Sequence, residues 1–125
     1  MQKIKKKILI VEDQKIIALD LKSSLKKRGY DIIGISGNGE DALKLTEERR
    51  PDLILMDIMQ EGEKDGIETA QEINKNRRIP IIYLTALTDV DTYLKAVRTE
   101  PHKYLMKPVE IDSLERAIEE IFEIS

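Results

Sequence analysis

The sequence predicts a doubly wound α/β domain, an open five-stranded parallel sheet with helices on both faces. Two observations carry the prediction. Short apolar runs alternate along the chain with longer segments of helical period, as βαβ units do. Four of those runs also stop on polar residues of different kinds. Ile8-Leu9-Ile10-Val11 stops at Glu12-Asp13, Leu53-Ile54-Leu55-Met56 at Asp57, Ile81-Ile82-Tyr83-Leu84 at Thr85, and Tyr104-Leu105-Met106 at Lys107. In an open parallel sheet ligands bind outside the carboxyl ends of the strands, so these residues are expected to converge on one edge.

Each element has a local reason. After the first strand, Gln14–Arg28 carries Ile17, Leu21 and Leu25 at i, i+4 and i+8, and Gly29 follows as a helix stop. The second strand is read over Asp31–Ile35. Gly37-Asn38-Gly39 turns the chain into a second helix with Ala42, Leu45 and Thr46 inward, closed by Pro51. The third strand starts at about Asp52–Leu53. A third helix runs from Asp65 or Gly66 to Asn76 with Ile67, Ala70 and Ile73 on one face, and Pro80 precedes the fourth strand. A fourth helix opens at Thr88-Asp89-Val90-Asp91, where Thr88 can cap and acidic side chains suit the positive helix end. Its apolar set is Val90, Tyr93, Leu94 and Val97. The fifth strand is Lys103–Met106, and a last helix places Leu114, Ala117, Ile118, Ile121 and Phe122 in one stripe.

Composition bounds the function. A chain of 125 residues is one domain, able to bury roughly 65–70% of its unfolded surface. With 21 basic and 24 acidic residues the net charge is −3, which gives no electrostatic case for nucleic acid. Lys3, Lys5, Lys6 and Lys7 form the one basic run, read as a solvated lead-in to the first strand. The absence of cysteine excludes disulfides and thiolate metal sites. No apolar stretch approaches the ~18 residues of a membrane span, and the four-residue apolar run after the basic N-terminus is too short for a signal peptide. The expectation is a cytoplasmic protein without membrane insertion.

The convergent residues suit a divalent cation and a phosphoryl group. Asp57 at a strand exit can be a cap, a ligand, or a nucleophile that forms an acyl phosphate. Glu12 and Asp13 alone are read the same way, with Asp13 a candidate cap for the first helix. Three carboxylates crowded together repel one another and favour a hard cation such as Mg²⁺, which takes carboxylates, waters and phosphate oxygens. Thr85 can hydrogen-bond a phosphate oxygen, and Ala86 is small enough to leave access. Lys107 is a point charge for the carboxylate and later the phosphoryl group, on a turn stiffened by Pro108.

These motifs together resemble the receiver domain of two-component response regulators, over essentially the whole chain, residues 1–125. Lys-Ile-Leu-Ile-Val-Glu-Asp at 7–13, Leu-Met-Asp at 55–57, Leu-Thr-Ala at 84–86 and Tyr-Leu-Met-Lys-Pro at 104–108 carry it. The resemblance implies a flavodoxin-like strand order 2-1-3-4-5 and Asp57 as phosphoacceptor. It implies Mg²⁺ held by Asp13, Asp57 and the Met59 carbonyl, with Glu12 acting through water. It implies phosphoryl contacts from Thr85 and Lys107, a Tyr104 rotamer coupled to Thr85, and a cis Lys107–Pro108 bond. A sensor histidine kinase or phosphotransfer protein would be the donor. A downstream protein would bind the face of the fourth helix, fifth strand and last helix, and homodimerisation on phosphorylation is a further option. With nothing past the last helix, a stand-alone, chemotaxis-regulator-like receiver is expected. One departure is the segment Ile58–Gly66, a residue longer than the family's Met-Pro-Gly-Met-Asp-Gly pattern and lacking its proline.

Two other readings compete for these residues. Gly37-Asn38-Gly39-Glu40-Asp41-Ala42 fits the G-x-G-x-x-A pattern of nicotinamide-nucleotide binding, but Glu40 and Asp41 put negative charge where the pyrophosphate should sit. A Mg²⁺-dependent aspartyl-phosphate phosphatase typically needs a second carboxylate two residues after its nucleophile, where this chain has Met59. The chain is expected not to be an enzyme in the ordinary sense, though it assists its own phosphorylation and dephosphorylation.

Overall fold

The structure, a computed structural model, describes residues 5–58, 66–85 and 103–123. Strands β1 (Lys7–Val11), β2 (Asp31–Ser36), β3 (Leu53–Asp57), β4 (Ile81–Thr85) and β5 (Lys103–Met106) form one sheet in the order β2-β1-β3-β4-β5. All four pairings are parallel. The helices among the described residues are α1 (Lys15–Lys27), α2 (Gly39–Arg49), α3 (Gly66–Asn76) and a C-terminal helix (Ile111–Phe122). The expected fourth helix, opening at Thr88, lies outside the described residues.

Alternation along the central strands splits the core in two. Ile8, Ile10, Leu53, Leu55, Ile82 and Leu84 meet Ala18, Leu21 and Leu25 of α1 and Leu114, Ala117 and Ile118 of the C-terminal helix. Leu9, Val11, Ile54, Met56, Ile81 and Tyr83 meet Ala42 of α2 and Ile67, Ala70 and Ile73 of α3. Successive strand side chains point to opposite faces, so a strand apolar at every position must be covered on both. The flavodoxin-like order and the two helical layers agree with the sequence reading.

Element ends depart from it by a residue or so. Gln14 is the extended N-cap of α1 and makes no side-chain cap bond, so Asp13 does not cap this helix. Gly29, at φ +95, takes the left-handed conformation that stops α1. The turn before α2 relies on side chains rather than on glycine freedom. Ser36 Oγ donates to the Asn38 carbonyl at 2.7 Å, and Asn38 caps the helix by accepting from the Asp41 amide at 2.8 Å. At the far end Arg50, at φ 48, turns the chain toward Pro51, a residue that disfavours right-handed helix in its predecessor.

Candidate functional site

The sheet delivers its polar residues to one end. Glu12 and Asp13 follow β1, Asp57 ends β3, Thr85 ends β4 in register with Met106, and Lys107 follows β5. Because β1 and β3 are adjacent, with Val11 opposite Met56, the three carboxylates arrive side by side. One carboxylate oxygen from each of Glu12, Asp13 and Asp57 lies within 4.8 Å of the others. Glu12 and Asp57 are almost wholly buried, while Asp13 is partly open to solvent.

Lys107 closes the cluster from the opposite side. Its Nζ lies 2.9 Å from Glu12 Oε1 and 3.2 Å from Asp57 Oδ2. Burial is the largest single influence on this ammonium and by itself would lower its pKa. The hydrogen bond to Glu12 and the charges of Asp57 and Glu12 outweigh it, so the pKa stands above the ordinary lysine value. Sequence reasoning aimed Lys107 at the acceptor carboxylate; the structure adds Glu12 as its nearer partner. The second oxygen of Glu12 accepts from the Gln14 amide at 3.3 Å, and the Glu12 amide donates to the Ser36 carbonyl at 2.8 Å. Glu12 is therefore held by three elements.

Tyr104 faces Tyr83 across β4 and β5 and packs half-buried against the α2/α3-side core. The Lys107–Pro108 peptide bond is cis. Met59 and Ala86 lie outside the described residues, so the structure does not bear on the Met59 carbonyl or on access past Ala86. Gly66, expected near the start of the third helix and at the end of the lengthened segment after Asp57, also supports the site. Its amide donates to the Ile58 carbonyl at 3.0 Å. A Cβ built on it would overlap the Asp57 carbonyl oxygen and lie 2.8 Å from Ile58 Cα. The available signal was a glycine at a helix start nine residues after Asp57, in a loop whose length hid the relation.

The donor set fits a hard divalent cation. Three oxygen-bearing side chains converge with one ammonium between them, which leaves the pocket negative, and hard cations prefer such carboxylates.

The response regulator receiver domain family matches residues 8–119. This chain belongs to that family. The receiver is 39% identical over 116 residues to the transcriptional regulatory protein PdtaR of Mycobacterium tuberculosis, covering 93% of this chain and 56% of that protein. It is 36% identical to the transcriptional regulatory protein AfsQ1 of Streptomyces coelicolor, covering 89% of this chain and 50% of that one. The receiver thus spans about half the length of these curated relatives. Among solved structures, the signal receiver domain of a modulated diguanylate cyclase from Desulfovibrio desulfuricans superposes with a TM-score of 0.88 at 42% identity, covering 94% of this chain and 93% of that one. A DNA-binding response regulator of the LuxR family from Staphylococcus aureus gives 0.86 at 30%, with 93% and 98% covered. These residues form a receiver domain of two-component signal transduction. Among the described residues no helix is long and apolar enough to cross a membrane.

Proposed function

We propose that residues 1–125 act as one cytoplasmic phosphoryl-accepting switch, taking a phosphoryl group from a phosphohistidine onto Asp57. The donor is a sensor histidine kinase or a phosphotransfer protein. A carboxylate oxygen of Asp57 forms the new P–O bond as the P–N bond to the donor imidazole breaks, and the imidazole leaves with its electron pair and is protonated. The observation that most supports this reading is the ammonium of Lys107 within 3.2 Å of a buried Asp57 carboxylate at the end of the central strand.

Each residue then has a task. Lys107 balances the Asp57 carboxylate at rest and turns its charge to a phosphoryl oxygen once the acyl phosphate forms. Thr85 donates its hydroxyl to another phosphoryl oxygen, and Ala86 leaves the approach clear. Asp13, Asp57 and the Met59 carbonyl would hold Mg²⁺, with Glu12 acting through water. Bound there, a divalent cation would supply positive charge to offset the carboxylates and the phosphoryl oxygens. Tyr104 turns inward as Thr85 moves, which changes the face presented to a downstream protein by the segment before β5, by β5 itself and by the C-terminal helix. That is a population shift, so it requires that the phosphoryl group favour one state over the other.

The test is acceptance of one phosphate. Incubation with Mg²⁺ and acetyl phosphate should add a single phosphoryl group by mass spectrometry, labile in alkali as an acyl phosphate is. Asp57→Asn should abolish it, and undiminished labelling of that variant would move the acceptor elsewhere.

A further inference from the structure

Lys107 reaches further across the sheet than its place in the chain suggests. It follows β5, Glu12 follows β1, and in the order β2-β1-β3-β4-β5 two strands lie between them. The two exits are thus three strand spacings apart, about 14 Å. The ammonium nevertheless comes closer to Glu12 Oε1, at 2.9 Å, than to Asp57 Oδ2, at 3.2 Å. Two long side chains are needed to close that span. Glu12 is fixed for the contact: it is 1% exposed, its other oxygen accepts from the Gln14 amide at 3.3 Å, and its own amide donates to the Ser36 carbonyl at 2.8 Å.

We propose that Glu12 is a positioning residue for phosphoryl acceptance, holding the Lys107 ammonium back from full pairing with Asp57 and in place for the phosphoryl oxygen. The inference rests on the reading of Asp57 as acceptor and gives Glu12 a task beyond the cation. An ammonium paired with Asp57 alone would draw closer to it, since the attraction of two charges rises as they approach. The acceptor oxygen would then be a poorer nucleophile, its electron pair held by the donor. Sharing the ammonium with Glu12 weakens that hold. It also sets the point charge beforehand, so no reorganisation is needed as the phosphoryl group arrives. Side-chain length carries the effect. Glu12→Asp keeps the charge but ends one carbon short, beyond hydrogen-bond range of Nζ. Glu12→Gln keeps the reach and an acceptor oxygen but loses the charge.

The test sets length against charge. At saturating Mg²⁺, acetyl phosphate gives its phosphoryl group to Asp57 and releases acetate, and intact-protein mass spectrometry follows the rate. The unsubstituted protein should be fastest, Glu12→Gln slower, and Glu12→Asp slowest, by about tenfold for one lost hydrogen bond. Mg²⁺ affinity of Glu12→Asp by titration calorimetry should be unchanged, and in a Lys107→Met background Glu12→Asp should make no difference to the rate. Should Glu12→Asp lose its circular dichroism spectrum, Glu12→Gln must still be slower than the unsubstituted protein and lose that deficit in the Lys107→Met background. Glu12→Asp faster than Glu12→Gln overturns the proposal, because charge and not reach would then matter. So does a weakened Mg²⁺ affinity in Glu12→Asp, or a rate loss that persists without Lys107. Labelling that survives Asp57→Asn in the same assay overturns the acceptor assignment and this inference with it, whereas the other failures leave that assignment standing.

Discussion

Gly66 rests on the backbone of Asp57, with no space between them for even a methyl group. The contact joins the first turn of α3 to the exit of β3, and the Gly66 amide bonded to the Ile58 carbonyl fixes its direction. An added Cβ would press against main chain, which cannot swing aside as a side-chain tip can. Gly66→Ala should therefore destabilise the domain by about 1–3 kcal/mol, as overpacking of a close-packed site does. Urea unfolding should show a lower midpoint with an unchanged slope. An unchanged midpoint would mean that α3 shifts freely and that the contact positions nothing.

The carboxylates differ in their expected effect on metal binding. Asp13→Ala should weaken Mg²⁺ binding and slow phosphoryl acceptance from acetyl phosphate, because Asp13 belongs to the convergent cluster. Asp31→Ala removes the same charge from the first residue of β2 and should do neither. Titration calorimetry on both proteins separates coordination from bulk charge, and equal losses would favour bulk charge.

Lys107 gives a pH prediction of definite sign. Its folded-state pKa is raised above 10.5, so its stabilising contribution is complete below that value and disappears as pH climbs through the folded pKa. Lys107→Met should cost about 1–3 kcal/mol near neutral pH by leaving buried carboxylate oxygens without their donor. The gap between the two proteins should stay level across neutral and mildly alkaline pH and close only above 10.5. A gap that closes near neutrality would place the relevant titration on another group.

The lifetime of the phosphorylated form should reflect residues known from sequence alone. By resemblance to other receivers, the positions two after Asp57 and two after Thr85 flank the hydrolytic water; here they are Met59 and Leu87. Neither can hydrogen-bond that water. One missing orienting bond costs about a kcal/mol of barrier, on the order of tenfold in rate. Met59→Asn combined with Leu87→Glu should speed loss of the phosphoryl group by that factor, followed by intact-protein mass spectrometry. An unchanged decay with Mg²⁺ binding preserved would refute it.

The strands and helices were legible because their signals are local. Leu53–Met56 is apolar at every position and proves buried on both faces, and the Ile67, Ala70 and Ile73 stripe marks the inner face of α3. The cluster of Glu12, Asp13 and Asp57 was legible too, since the strand-end rule brings together residues 45 positions apart in sequence. The pairing of Lys107 with Glu12 was not. Any of three carboxylates stood at the right edge, and only side-chain geometry across 95 residues selects the nearest. β2 also slips its register against β1 at Ile33, which has no partner there; the isolated Gly34 within the strand is a signal for such a bulge, but a lone glycine does not fix where the register slips.

The double burial of β3 has a mechanical consequence. Leu53 and Leu55 are locked into one layer and Ile54 and Met56 into the other, all four wholly excluded from solvent, with β1 and β4 on either flank. Asp57 therefore stands at the end of a strand clamped on both faces. If Asp57 accepts a phosphoryl group as proposed, the added charge would meet a strand fixed on both faces, so the adjustment would fall on the residues around the acceptor while the acceptor keeps its address.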